Sequence, residues 1–489
     1  MLNTGLYWRP LGGNNIDQIS GHCYQYTCVE YKNDKIIKTS ILVDLGKFDN
    51  YQAWNVDNAL AAVPDVTTLL EDKSLGLKAI FLTHSHPDHL NGLLHYLRAG
   101  YKLPSLYGGR YTQIVLEDMY EYYGIPANRR PRFIVIKDGD VKHFGKLKIE
   151  VLSSSHTCFD AYGFLLSFDK TVVYHTGDMK LDNSTFFKKP TNLKRLKKVA
   201  PRVNYVVGDF CEIDHDGIAY RESDVYKKFV TTIKKSRKNK IYLPVYPTHV
   251  EMYIIAFLVA LKLRFNVAFC GDDDFYTYLR LLKLYGIDFR ALAKDRIKIF
   301  DKLPDNLRDL GSKYIIIGTY RKLEEKYWIR DALMFITARL RYAQLKKQAE
   351  IHKVKTVSVG DVPILRGSGH AFLGDWQILC GILDKAVYIP THCPDFVLES
   401  FCELGHLAGF NLIEPLPHNN MLYWLSKDGY KLIEREPAYW MIAKKDGTME
   451  RVLQKATAGC GAIKNTYSRR RTMQKFKIIE YQMEKKHGV

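Results

Sequence analysis

The chain has 489 residues, of which 46% are hydrophobic and 26% charged. This composition excludes a disordered protein and a small disulfide-stapled scaffold, and the length predicts two or three domains. The 72 Lys and Arg residues outnumber the 53 Asp and Glu residues, so the formal net charge is +19, which favours a polyanionic partner but indicates no fold.

The first part of the chain is predicted to be rich in strands. Short apolar segments that are typical of strands lie at residues 41–44, 78–82, 133–136, 148–152, 163–168 and 171–174. Asp169 and Lys170 separate the last two segments, and this spacing predicts a tight hairpin turn.

From about residue 209 the pattern changes to longer helical segments that alternate with strands. Helices are predicted at 223–235 and 250–263, and strands at 241–246, 267–270 and 314–318. This alternation favours a parallel α/β unit. Beyond residue 356 the pattern predicts another strand, a helix at 374–383 and a strand at 386–389.

One loop concentrates residues that bind metals. His84, His86, Asp88 and His89 follow the predicted strand 78–82, and leucines at helical spacing begin at residue 90. Imidazole nitrogens and carboxylate oxygens are donors that Zn²⁺ takes. Because His84 and His86 can point one way while Asp88 and His89 point another, the loop suits two adjacent ions.

This His-x-His-x-Asp-His loop resembles the metallo-β-lactamase superfamily, which implies an α/β fold of the αββα sandwich type. In that superfamily a lone histidine and then a metal-bridging aspartate follow the loop, and His156 and Asp178 occupy those places. Asp44 resembles the early aspartate at a strand end that orients the site without binding metal.

Two later motifs resemble the β-CASP nucleases of that superfamily, in particular the ribonuclease J family. They contain His370, in Gly-Ser-Gly-His-Ala, and His392, in Pro-Thr-His-Cys-Pro. Asp209 occupies the place of the group's acidic motif, although Glu212 could share or take that role. The resemblance implies an inserted β-CASP α/β domain.

The resemblance and the change of pattern together predict four parts. The metallo-β-lactamase domain is expected at 1–208 and is completed at 356–430, the β-CASP domain is inserted at 209–355, and a short basic extension occupies 431–489. At the place of this extension, ribonuclease J has a folded C-terminal domain that supports its oligomers. The oligomeric state of ribonuclease J is therefore not carried over to this chain, and a homodimer is one alternative.

The resemblance implies a zinc-dependent ribonuclease that cleaves RNA as a 5′-exonuclease, an endonuclease or both, through a hydroxide shared by two Zn²⁺ ions. Mn²⁺ and Mg²⁺ are alternatives to zinc. The expected ligands are His84, His86 and His156 for one ion and Asp88, His89 and His392 for the other, with Asp178 bridging. The expected catalytic residues are His370, as donor of a hydrogen bond or proton, Asp209, which orients it, Asp88 and Asp178.

Basic segments are expected to contact single-stranded RNA. Residues 188–202 and 227–240 each carry seven basic residues and no acidic one, and 461–489 carry eight against two glutamates. A solvated helix face is the alternative for each segment. The expected phosphate- or RNA-binding residues are Ser368, Gly369, Thr248, His249, Lys188, Lys194, Lys234 and Arg470.

Two other functions stay open. A DNA-directed nuclease of the same fold is disfavoured by His392, because the DNA-repair branch of the β-CASP proteins typically replaces this histidine. A catalytically silent RNA-binding protein would be expected to have lost metal ligands, and none is visibly lost.

The sequence also predicts a location. The first residues lack the charged start and apolar stretch of a secretory signal, and the longest apolar run, 252–261, is too short for a bilayer. The nine cysteines form no Cys-x-x-Cys pair. We therefore expect a cytoplasmic protein without a membrane partner.

Overall fold

The computed structural model describes residues 3–14, 20–48, 56–319, 331–337, 342–393 and 410–453. The strands are β1 Gly5–Gly12, β2 Cys23–Lys32, β3 Lys35–Val43, β4 Ala59–Pro64, β5 Leu77–Phe81, β6 Ser105–Gly108, β7 Phe133–Val135, β8 Val141–Phe144, β9 Leu147–Ser153, β10 Tyr162–Phe168, β11 Thr171–His175, β12 Tyr205–Asp209, β13 Lys240–Pro244, β14 Asn266–Cys270, β15 Ile299–Phe300, β16 Tyr314–Gly318, β17 Leu333–Ile336, β18 Lys355–Ser358, β19 Val387–Thr391, β20 Met421–Ser426, β21 Gly429–Arg435, β22 Tyr439–Lys444 and β23 Met449–Leu453. The helices are α1 Thr67–Glu71, α2 Pro87–Leu90, α3 Gly92–Arg98, α4 Arg110–Tyr122, α5 Leu193–Val199, α6 Glu222–Ser236, α7 Val250–Leu263, α8 Asp273–Tyr285, α9 Phe289–Ala293, α10 Tyr342–Ile351 and α11 Leu373–Ile382.

Two sheets pack face to face. The first has the strand order β21-β20-β1-β2-β3-β5-β6-β7, and the second has the order β19-β12-β11-β10-β9-β8. Residues from both sheets form one buried apolar cluster, in which the rings of Phe81 and Phe164 lie 5.4 Å apart. Because side chains alternate along a strand, each sheet also has a second face. The residues on this face are apolar as well and need to be covered.

Helices cover those outer faces. On the first sheet, Leu42 and Ile80 pack in a cluster with leucines of α3. On the second, Leu165 and Val206 pack in a cluster that includes Trp376 of α11 and residues of α5. The four layers are therefore helix, sheet, sheet and helix, and the predicted αββα sandwich is confirmed.

A third sheet lies between the strands β12 and β19 in the chain. Its six strands, in the order β15-β14-β16-β13-β17-β18, are all parallel. The helices α6, α7 and α8 pack on one face of it, in a cluster that also contains Tyr111 and Phe159 from the sandwich. The predicted parallel α/β unit is confirmed, and it packs directly on the sandwich.

The C-terminal segment extends the first sheet and forms a fourth one. Strands β20 and β21 join the first sheet next to β1, whereas β22 pairs with β4 and β23 in a separate three-stranded sheet. The predicted boundary after residue 430 falls inside β21, and residues 431–453 contain the rest of β21 together with β22 and β23 rather than a separate basic extension. Residues 454–489 lie outside the described residues, and the four-part division stays a prediction.

Most predicted elements lie where the patterns indicate. The turn at Asp169 and Lys170 joins β10 to β11, with Phe168 opposite Thr171. The prediction at 41–44 covers only the end of β3, and the helix expected after residue 90 is two helices, α2 and α3, that meet at Asn91. In the described part of the chain, we find no helix that combines the length and the apolar character needed to cross a membrane.

Candidate active site

The candidate residues collect at one edge of the sandwich. Strands β3 and β5 are parallel in the first sheet, and β9, β11, β12 and β19 run in one direction in the second. In sheets of this kind, ligands bind beyond the carboxyl ends of the strands. The side chains at or just after these ends are Asp44, His84, His156, Asp178, Asp209 and His392.

The buried carboxylate of Asp44 fixes the loop after β5. Its Oδ1 accepts a hydrogen bond from the main-chain N–H of Thr83 at 2.8 Å, and its Oδ2 accepts one from the Thr83 hydroxyl at 2.8 Å. Its Oδ2 also lies 2.8 Å from Nδ1 of His89. Asp44 thus holds the ring of His89 and the loop in place, and its role in orienting a metal site stays a prediction.

The first ligand cluster consists of His84, His86 and His156, whose ligand atoms lie within 4.8 Å of one another. Nε2 of His156 is 3.1 Å from Nδ1 of His86. Burial and the neighbouring imidazoles hold the pKa of His84 well below its usual range, and burial lowers the pKa of His86 to about 4. The rings are therefore neutral near pH 7, as metal ligands must be.

The main chain of Gly369 holds the ring of His156 in place. Its carbonyl oxygen lies 2.9 Å from Nδ1 of His156 and accepts that N–H, so the other ring nitrogen faces the cluster. A Cβ at position 369 would lie 2.6 Å from Nδ1 of His156, closer than atoms can approach. Close packing against His156 therefore requires a glycine at position 369. Gly369 contributes to the site through its main-chain carbonyl.

Asp178 lies between the ligand clusters. Its Oδ2 is 3.8 Å from Nε2 of both His84 and His156, and 3.3 Å from Nε2 of His89. Its Oδ1 is 3.0 Å from Nδ1 of His392. One carboxylate therefore contacts both groups of histidines, which is the position expected of a bridging ligand.

The second cluster contains a residue that sequence reasoning missed. Ligand atoms of His22, His89 and His392 lie within 4.8 Å of one another. Oδ2 of Asp88 is 3.7 Å from Nε2 of His22 and 3.7 Å from Nε2 of His89, and its side chain is 31% exposed. The only sequence signal for His22 is its place just before β2, a strand that the hydrophobic pattern did not predict.

Asp209 holds the ring of His370 through a contact to Nδ1. Nδ1 of His370 lies 2.7 Å from Oδ2 of Asp209, and 3.9 Å from Oδ2 of Asp178. Burial opposes a charged ring here, but Asp209, Asp178 and Glu212 outweigh it and raise the pKa of His370 to about 10. Asp209 rather than Glu212 touches His370, because Glu212 accepts a hydrogen bond from Ser368 at 2.5 Å and pairs with Arg366.

The donor set fits metal ions. Nε2 of His84 is buried, faces Asp178 and has no hydrogen-bond partner among the residues that the structure describes. A buried polar atom without a partner is costly, and a cation at this edge would satisfy it. Imidazoles around a shared carboxylate are the ligand types of zinc sites.

The residues expected to bind RNA lie in different parts of the protein. Ser368 and Gly369 contact residues of the site, as described above. Thr248 and His249 lie half-buried before α7, where burial lowers the pKa of His249 to about 3. Lys194 on α5 and Lys234 on α6 are exposed. Arg470 lies outside the described residues.

The prediction for Lys188 is corrected by the structure. Its side chain is only 6% exposed, and Nζ lies 2.8 Å from Glu222 and 2.7 Å from Glu251. Nζ also donates a hydrogen bond to the main-chain carbonyl of His156. A run of basic residues indicates a surface, but this lysine is neutralised inside the protein and cannot contact RNA.

Comparison with known proteins gives three kinds of match. Residues 59–192 match the β-lactamase superfamily domain. Ribonuclease J of Synechocystis is 24% identical over 303 residues, which cover 61% of this chain and 42% of that protein. Ribonuclease J of Mycoplasma genitalium is 22% identical over 436 residues, which cover 84% of this chain and 74% of that protein. Ribonuclease J 2 of Staphylococcus aureus is 23% identical over 263 residues, 54% of this chain and 44% of the relative.

A solved structure has the same fold. A protein of unknown function from Enterococcus faecalis superposes with a TM-score of 0.57 at 16% identity, over 88% of this chain and all of that one. The solved structure shows the fold alone, and the sequence matches confirm the resemblance to the metallo-β-lactamase superfamily and to ribonuclease J. The match spans less than half the length of the Synechocystis and S. aureus relatives.

Proposed function

We propose that this chain is a zinc-dependent ribonuclease that hydrolyses RNA phosphodiester bonds. The observation that carries the proposal is the position of Asp178, whose carboxylate contacts histidines of two ligand clusters at one edge of the sandwich. Relatives named ribonuclease J and a match to the β-lactamase superfamily domain support the same reaction class.

Two ions would be held by residues already in place. His84, His86 and His156 would hold one, His89 and His392 with Asp88 the other, and Asp178 would touch both. Ions bound there would make hydroxide available near neutral pH and offset the charge of the phosphate.

His370 supplies the proton. Its ring is 21% exposed, whereas the rings of His84 and His156 are almost completely buried, so it faces the approach to the site. Asp209 holds Nδ1, which leaves Nε2 to donate a hydrogen bond or a proton to the phosphate or to the leaving oxygen. Although burial opposes a charged ring, the carboxylates of Asp209, Asp178 and Glu212 raise the pKa of this ring and so favour its protonated form.

The proposal is tested with single-stranded RNA and DNA labelled at the 5′ or the 3′ end. We expect the zinc-loaded wild type to cleave RNA, and the Asp88→Ala variant to cleave it at least about tenfold more slowly, because a carboxylate beside His22 and His89 is lost. Fragment patterns from the two labels distinguish exonucleolytic from endonucleolytic cleavage. Cleavage of DNA alone would favour the DNA-directed alternative, and cleavage of neither would refute the nuclease proposal.

The exposed lysines on α5 and α6 give a second test. Replacing Lys194 and Lys234 together by Gln is expected to weaken binding of single-stranded RNA and to reduce the slope of log affinity against log salt by about 0.7 for each lost phosphate contact. Lys73→Gln, at an exposed lysine of the 3-10 turn Lys73–Leu75, is the control. An unchanged slope in the double variant would place the RNA elsewhere on the surface.

A further inference from the structure

We propose that His22 is a ligand of the second metal ion, together with His89 and His392. The inference rests on the proposed metal centre but not on the identity of the substrate. It adds a residue from the N-terminal strands to a site that the sequence motifs assign entirely to later parts of the chain.

The main chain fixes His22 beside the metal-binding loop. Its N–H donates to the carbonyl of Asp88 at 2.8 Å, and its own carbonyl accepts from the N–H of Gly46 at 2.9 Å. These two bonds tie His22 to the loops after β3 and β5. The position of the ring therefore follows from the same framework that positions His89.

The ring of His22 packs against both other histidines. Its centroid is 4.2 Å from that of His89, with the planes nearly parallel, and 4.1 Å from that of His392. The three ligand atoms lie within 4.8 Å of one another. In a tetrahedral zinc site, ligand nitrogens are about 3.3 Å apart, so only a small contraction around an ion is needed.

His22 and His89 both have the hydrogen bonds that metal ligands make. A metal-binding histidine usually bonds its second ring nitrogen to a protein group, which fixes the ring. Nδ1 of His22 lies 2.9 Å from the hydroxyl of buried Tyr24, and Nδ1 of His89 lies 2.8 Å from Asp44. In each ring, Nε2 lies on the side of the cluster, 3.7 Å from Oδ2 of Asp88.

Asp88 occupies a different position from the three histidines. Its side chain is 31% exposed, whereas those of His22, His89 and His392 are almost completely buried. Its Oδ2 is equally distant, 3.7 Å, from Nε2 of His22 and of His89. The histidines thus form the inner donor set, and Asp88 closes the cluster on its solvent side.

The experiment measures bound metal rather than cleavage. Full-length wild type and the His22→Ala variant are dialysed against buffered Zn²⁺ and analysed by elemental mass spectrometry, and the Co²⁺-substituted proteins are compared by visible absorption. We expect two ions in the wild type and, in the variant, a second ion bound at least about tenfold more weakly. The Co²⁺ spectrum of the variant should lose the bands of one site.

His95→Ala is the matched control. His95 is also buried, but it lies on α3 and belongs to no ligand cluster of the described residues, so this variant should retain both ions. If His22→Ala does not fold, His22→Gln keeps the volume of the side chain and replaces it in the measurement.

The outcomes separate this inference from the proposed function. A His22 variant that binds two ions as tightly as the wild type overturns the inference, even if the wild type cleaves RNA. A His22 variant that loses one ion supports the inference, even if the wild type cleaves no RNA.

Discussion

Replacing His370 by alanine is expected to lower the rate of RNA cleavage by about 10²–10⁴-fold while two metal ions stay bound, because a positioned proton donor contributes on this order. Nδ1 of His370 is engaged with Asp209 at 2.7 Å, which fixes the ring and leaves Nε2 as the donor in the proposed reaction. Single-turnover cleavage of labelled RNA and elemental analysis of the same preparation measure the two properties together.

The neighbourhood of His370 makes the metal measurement decisive. Its ligand atom lies within 4.8 Å of ligand atoms of Asp178, Asp209 and His392, an arrangement that could also hold an ion. Loss of one ion in His370→Ala would identify His370 as a ligand and contradict the proposed proton donor. Asp209→Asn is the companion variant, and since it acts through the same ring, its effect should not add to that of His370→Ala.

Replacing Glu251 by alanine is expected to lower the free energy of unfolding by about 3–5 kcal/mol, because breaking a buried ion pair leaves charge without a partner. Glu251 lies in the first turn of α7, between Nζ of Lys180 at 3.0 Å and Nζ of Lys188 at 2.7 Å. Although burial opposes its ionisation, the two lysines hold the pKa of Glu251 down to about 2. Urea unfolding followed by circular dichroism measures the change.

An exposed ion pair provides the control for Glu251. Asp224 pairs with Lys227 on the solvent side of α6 at 3.4 Å, and Asp224→Ala should cost less than about 1 kcal/mol. A similarly small cost for Glu251→Ala would show that water reaches the cluster. The cluster also includes Glu222, in the first turn of α6, so α6 and α7 are both anchored to Lys188, which bonds the main chain of His156.

Local patterns were sufficient to predict the centre of the site. The hydrophobic segment before His84 and the spacing of the loop predict a strand that delivers ligands to a sheet edge, and Pro87 then starts α2 immediately. Strands such as β10 and β11 are recognisable because their apolar residues are contiguous and a two-residue turn joins them. These signals depend only on residues close together in the chain.

Contacts between distant residues could not be predicted in the same way. His22 enters the site because β2 pairs with β3, and Lys188 is buried because Glu222 and Glu251 reach it from two helices of another sheet. In the sequence, a histidine before an unpredicted strand and a lysine in a basic run carry no sign of these partners. Strands β20 and β22 also have distant partners, β1 and β4, but each forms a local hairpin, with β21 and β23, that the sequence analysis missed.

Strands β12 and β19 are neighbours in the second sheet, although the whole third sheet lies between them in the sequence. This separation has a consequence for synthesis of the chain. Asp209 is at the end of β12, whereas His370 and His392 follow only after the whole third sheet has been made. A chain still on the ribosome thus presents the His84–His89 loop long before His370 and His392, the proposed proton donor and last ligand, exist. We therefore expect the nascent protein to be inert towards the messenger RNA that encodes it until synthesis has passed the last of these residues.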